Sequence, residues 1–120
     1  LKKWQSNGII FHHLLMKTNF ITLKKVVAEV STVDDRESEL DLVGKIIMIE
    51  SADPGYDWIF GHQISGLVTK YGGAASHMAI RASELELPAA IGCGDIIYDE
   101  LLAANLIELD CAGELVRVLQ

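Results

Sequence analysis

Residues 65–92 read SGLVTKYGGAASHMAIRASELELPAAIG, and the order of patterns along them decides the fold class. Ser65 to Thr69 is a short apolar run, the signature of a strand buried on both faces. Tyr71-Gly72-Gly73 breaks it as a loop. From Ser76 to Glu86 the residues Met78, Ala82 and Leu85 recur at i, i+4 and i+7, the spacing of one helix face. Ala89 to Gly92, entered through Pro88, predicts a further short strand.

The same alternation continues outward. Upstream, Lys45 to Glu50 (KIIMIE) is a near-continuous apolar run and predicts another buried strand. Ser51-Ala-Asp-Pro-Gly55 ends it, and Gly55 to Gly61 suits a short helix. Val26 to Val30 is a short β-branched strand. Downstream, Tyr98 to Ala104 predicts a helix. Leu106 to Leu109 and Leu115 to Leu119 predict two strands around a turn at Cys111-Ala-Gly113. Strand, helix, strand, helix, strand places the chain in the α/β class, with parallel pairing and right-handed crossovers. Ligands in such sheets bind beyond the carboxyl ends of the strands. Lys70 to His77 lies at such an end.

A chain of 120 residues has room for one sizeable core. Half of it is hydrophobic and 22% is charged, a globular composition. The net charge of −7 argues against a general nucleic-acid binder. No apolar run approaches the ~20 residues of a membrane helix, and no signal-peptide pattern opens the chain. Two cysteines, Cys93 and Cys111, make no disulfide framework, so a reducing, cytoplasmic setting is expected. The start at Leu1, without Met, suggests a piece of a larger protein. Residues 1–28 carry five lysines and no acid, whereas residues 29–57 carry nine acids against Arg36 and Lys45. Residues 1–41 are therefore expected to be a basic lead-in, a first strand and an acidic loop, with the domain core at 42–120. Ser31 to Asp41 (STVDDRESELD) is expected to be exposed and mobile.

The segment Gly72-Gly-Ala-Ala-Ser-His77 carries the candidate chemistry. Glycine lets the backbone take left-handed angles and approach a ligand closely. Ser76 suits a helix N-cap. The first turn beyond it offers unpaired N–H groups and a partial positive charge, which favour an anion such as phosphate. His77 stands at its mouth and can act as a nucleophile through a neutral ring nitrogen. Arg81, one turn on, can reach back with a fork of donors suited to phosphate oxygens. On these residues alone a surface histidine without chemistry, and an arginine paired only with Glu84, stay open.

The pattern G-G-x-x-S-H-x-A-I, followed by E-L-x-L-P-A-x-x-G, resembles the swivelling phosphohistidine (mobile) domain of phosphoenolpyruvate-utilising enzymes. Phosphoenolpyruvate synthase, pyruvate phosphate dikinase and enzyme I of the sugar phosphotransferase system are members. Gly44 to Trp58 resembles the strand and Asp-Pro segment of that domain, and Asn105 to Leu119 its closing hairpin. The resemblance covers roughly residues 42–119. It implies a swivelling β/β/α domain in which His77 is the phosphoryl carrier and Gly72, Gly73, Ser76 and Arg81 cradle the phosphate. It implies transfer between an ATP-grasp nucleotide-binding domain of the parent chain and a small-molecule acceptor, with pyruvate among the candidates. ATP and Mg2+ are expected on the partner domain. No cofactor is expected on this one, which has no P-loop pattern and should not act as an enzyme in isolation.

Three positions depart from the family pattern. Ala75 stands where many members have Thr. Ser83 stands where the family has Arg, with Arg81 two residues earlier. Lys70 replaces a common acid and adds positive charge near the proposed phosphate. Ala75 and Ser83 motivate an alternative: a non-catalytic interaction module that kept the fold.

The other constellations are weaker. His12-His13, His62 and the cysteines lack metal-ligand spacing, so no metal is expected. Cys93 is expected to be a buried, inert thiol rather than a reactive one. Asp53 and Asp57 could form a carboxylate pair, but Asp53 is better suited to cap a short helix with Pro54 at its first position. Exposed Tyr56 or Trp58 would mark a docking patch, and Trp4 is a similar candidate.

Overall fold

The run KIIMIE forms its strand and is buried on both sides: Ile46, Ile47, Met48 and Ile49 are each at most 2% exposed. Alternate residues serve different cores. Ile46 and Met48 point into one, Ile47 and Ile49 into the other. Each fully buried isoleucine contributes about 1.5–3 kcal/mol relative to exposure.

The computed structural model describes residues 17–33 and 41–120, together with the backbone of 9–11. The strands are β1 (Ile9–Phe11), β2 (Asn19–Ile21), β3 (Lys25–Thr32), β4 (Ile46–Ser51), β5 (Gly66–Tyr71), β6 (Ala89–Ile91), β7 (Leu106–Asp110) and β8 (Leu115–Val118). A 3-10 helix spans Pro54–His62, and two α-helices follow, α1 (His77–Glu84) and α2 (Gly94–Leu102). The sheet order is β1-β8-β7-β3-β4-β5-β6-β2.

β3, β4, β5 and β6 run parallel in this order, the α/β arrangement the sequence predicts. The flanks are antiparallel, so the sheet is mixed. β7 and β8 are joined by a tight turn, which permits only antiparallel pairing, and β7 pairs antiparallel with β3. β1 and β2, three residues each, add antiparallel to β8 and β6 at the two ends.

That order forces the sheet to curl. β1 and β2 sit at opposite edges, seven strand spacings apart. At ~4.8 Å per spacing a flat sheet would separate them by about 34 Å. Phe11 and Asn19 are eight residues apart, a reach of at most ~29 Å. The β7–β8 hairpin therefore folds over the parallel strands. Its inward residues Ile107, Leu109, Val116 and Val118 join Ile97, Tyr98 and Leu101 of α2 in the first core. On the opposite face, Ile59 of the 3-10 helix and Met78, Ala79 and Ala82 of α1 build the second.

Several boundaries differ from the sequence expectation. The segment expected to be helical to Glu86 ends at Glu84, and Leu85 is 48% exposed rather than part of the buried face. Glu86 takes a left-handed φ of 55°, and two reversed bonds close the end, Glu86 N–H to Ser83 O and Leu87 N–H to Ala82 O. This is a Schellman cap with Leu87 returning to the core. Helix α2 starts at Gly94, before Tyr98, because the Cys93 N–H is tied to the Thr69 carbonyl and the chain turns there. Ser31 and Thr32 belong to β3 rather than to the acidic loop, and residues 34–40 lie outside the described residues. The expected short helix is a 3-10 helix. Asp53 caps it, accepting from Gly55 N–H at 2.7 Å, with Pro54 first, as the sequence predicts.

Candidate functional site

The site forms where β5 and β6 end. Thr69 is fully buried. Its carbonyl accepts from Gly92 N–H and Cys93 N–H, while its hydroxyl accepts from Gly92 N–H and donates to Tyr71 O. The two strand ends are thereby fastened together, and the loop leaves from a fixed point. Gly72 has φ +132°, and a Cβ there would lie 2.5 Å from the Ala52 Cβ. Gly92 has φ +78°, and a Cβ there would strike the Gly72 carbonyl oxygen. Packing of loop against strand thus demands glycine at 72. At Gly73 an added Cβ meets nothing within 4 Å, so neighbouring atoms do not require glycine there.

Ser76 closes the loop. Its hydroxyl donates to the Gly73 carbonyl at 2.7 Å and accepts from Ala79 N–H at 3.4 Å, which makes it the N-cap of α1. His77 is therefore the first helical residue, with Met78 and Ala79 buried behind it.

The 3-10 helix turns Asp57, which the sequence offered only as a partner of Asp53, toward α1. Asp57 Oδ1 lies 2.7 Å from His77 Nε2 and accepts from Arg81 Nε at 3.0 Å. One carboxylate oxygen thus joins the two α1 residues expected to share a face. The 3-10 period of three residues per turn aligns Asp57 with Phe60. Both meet Arg81, whose guanidinium lies 5.5 Å from the Phe60 ring centre. Arg81 also donates to Glu84 at 3.1 Å. The side chains of His77, Asp57 and Arg81 are 37%, 42% and 33% exposed, so the cluster is open to a partner. Hydrogen bonds from the His77 ring and then from Arg81 hold the Asp57 carboxyl below its ordinary value of 3.8.

Lys70 is engaged with Asp95 at 3.8 Å and lies over the Tyr71 and Tyr98 rings. Tyr56 and Trp58 are half-buried against the second core and form no exposed patch. Cys93 and Cys111 are buried, and desolvation pushes their thiols up to about 12 and about 11. No group of acidic, histidine and cysteine side chains fit for a metal occurs among the described residues. Among them no helix is long and apolar enough to cross a membrane. Trp4, His12 and His13 lie outside the described residues.

Fold and site together define a small α/β domain that presents one acid-paired histidine at the capped start of a helix, beyond the ends of parallel strands. The family model described as "PEP-utilising enzyme, mobile domain" matches residues 42–113, and the chain belongs to that family. It is 35% identical over 71 residues to phosphoenolpyruvate synthase of Escherichia coli, covering 59% of this chain and 8% of that protein. Against phosphoenolpyruvate synthase of Deinococcus radiodurans it is 33% identical over 87 residues, covering 72% of this chain and 11% of that one. The solution structure of Enzyme I superposes with a TM-score of 0.54 at 28% identity, over 70% of this chain and 34% of the other. The chain spans about a tenth of the length of these curated relatives.

Proposed function

We propose that this chain is a phosphoryl carrier in a phosphotransferase like phosphoenolpyruvate synthase or the dikinases. His77 takes a phosphoryl group at an ATP-grasp nucleotide-binding domain and delivers it to a small-molecule acceptor, with pyruvate the first candidate. The observation that carries this reading is the placement of His77. It is the first residue of α1, one turn before Arg81, inside the span matched by the mobile-domain family.

The chemistry follows from that placement. A ring nitrogen of His77 attacks phosphorus, an N–P bond forms, and the P–O bond to the nucleotide breaks with its electron pair leaving on the nucleotide. The α1 N-terminus and Arg81 face the transferred charge. Gly72, Gly73 and Ser76 shape the loop around it, and Ser76 does so through its bond to Gly73. ATP and Mg2+ belong to the partner domain and no cofactor to this one. In this reading residues 42–120 are the carrier core, and residues 1–41 precede it while lending β3 to the same sheet. The setting is cytoplasmic.

The test uses the full parent protein with Mg-ATP, beside a His77→Ala variant. Mass spectrometry under alkaline conditions should find a phosphoryl group on the His77 peptide of the wild type only, lost after acid treatment. No uptake from either ATP or phosphoenolpyruvate would replace this reading with that of a non-catalytic interaction module.

A further inference from the structure

The position of Asp57 bears on the state of His77 before any transfer. An ionised carboxylate only accepts hydrogen bonds, so at 2.7 Å from Asp57 the Nε2 atom carries the ring proton. A nitrogen donating that proton has no lone pair with which to attack phosphorus. Arg81 is bound to the same oxygen, so it stands on the Nε2 side of the ring. A phosphoryl group on Nε2 would meet that guanidinium, whereas one on Nδ1 would point to the opposite side. The place between Nε2 and Arg81 is therefore an anion site, and Asp57 fills it.

We propose that Asp57 is a built-in stand-in for the phosphoryl group: it latches unphosphorylated His77 and Arg81 together, and phosphorylation of Nε2 expels it. This rests on the carrier reading of His77. Before transfer the Nε2 proton moves to Nδ1 through water, and the ring leaves the carboxylate. The Nε2 lone pair then forms the N–P bond as the donor's bond to phosphorus breaks. The phosphoryl group carries nearly two negative charges and repels the carboxylate. Arg81 exchanges one anion for the other, so its charge stays paired throughout. Asp57 sits in the 3-10 helix beside half-buried Trp58 and Phe60 and fully buried Ile59. Its expulsion moves that helix edge, so the phosphorylation state of His77 becomes readable on the surface around the histidine.

The experiment uses phosphoramidate, a small donor that needs no partner domain, on the full chain bearing these residues. Wild type, Asp57→Ala and Asp57→Asn are compared in a Trp4→Phe background, which leaves Trp58 as the single tryptophan of these 120 residues. Phosphohistidine is followed by phosphorus NMR, and the modified nitrogen is assigned by nitrogen-15 NMR. The latch predicts phosphorylation of Asp57→Ala roughly fivefold faster than wild type, the scale of an exposed ion pair, with Asp57→Asn in the same direction. It predicts modification at Nε2, and a change in Trp58 fluorescence on phosphorylation of the wild type that Asp57→Ala lacks. Slower phosphorylation of both variants, or modification at Nδ1, would make Asp57 a positioning residue and overturn the latch. Equal rates would overturn it too, with the carrier reading intact. No uptake by any of the three, from phosphoramidate or from the parent enzyme's own donor, would remove the carrier reading and the latch with it.

Discussion

At the scale of single residues the cluster around Asp57 predicts a pH signature. Its pKa is lowered in the fold, by His77 first and Arg81 second, and Glu84 is the other acid on Arg81. A lowered carboxylate stabilises the fold fully above its unfolded value of 3.8 and loses that contribution as pH falls through the lower folded value. Asp57→Asn should therefore have a lower urea midpoint than wild type at pH 6, and the gap should close as pH falls below 3.8. A gap that persists in strong acid would mean that the carboxylate's charge is not what matters. The thiols give a second expectation. With pKa values of about 12 and about 11, Cys93 and Cys111 should resist a thiol-specific reagent at pH 8 in the native protein, and both should label once urea unfolds it. Glycine at 92 is fixed by geometry. Gly92→Ala puts a Cβ at positive φ against a carbonyl and should destabilise by about 3 kcal/mol, read from urea unfolding. The role of Asp57 was not legible in the sequence. Asp57 and His77 are separated by a strand and two loops, and only the packing of the 3-10 helix on α1 brings them together. Ser76, Asp53 and Arg81 were legible because caps and helical faces are local.

At the scale of elements the parallel strands were readable because burial on both faces leaves an unbroken apolar run, as in KIIMIE. β1 and β2 were not, since three residues are too few to show a period and their pairing is with distant strands. Helix ends also escaped the reading. Periodicity continued α1 through Leu85, but the backbone reverses at Glu86, where no glycine announces a Schellman cap. That residue is a lever on stability. Glu86→Gly removes the strain of a side chain at φ 55° and gives up an exposed Lys24 contact of 3.7 Å. The strain outweighs the exposed pair, so the variant should gain about 0.5 kcal/mol and melt a few degrees higher. A lower melting temperature would show that Lys24 and Glu86 hold the start of β3 to the turn after α1 more firmly than their exposure suggests.

At the scale of the whole molecule, the family's span and the folding unit do not coincide. The mobile-domain model begins at residue 42, yet β3 (Lys25–Thr32) lies between β7 and β4, near the middle of the sheet. Its Ala28 is in the first core, with Val26 and Val30 packed against that core. Without β3 the β7–β8 hairpin has no strand to pair with on its inner side, and β4 becomes an open, apolar edge, a template for aggregation. A chain cut to residues 42–120 should therefore lack a cooperative urea transition and should aggregate, although it keeps His77, Arg81 and Asp57. A chain cut at residue 17 keeps β2 and β3 and, of the described elements, loses the edge strand β1 alone, so it should unfold cooperatively with a lower midpoint. Circular dichroism and gel filtration on the two truncations decide the matter. If the 42–120 chain proves folded and monomeric, β4 to β8 with α1 and α2 are sufficient by themselves, and β3 belongs to the domain's docking rather than to its core.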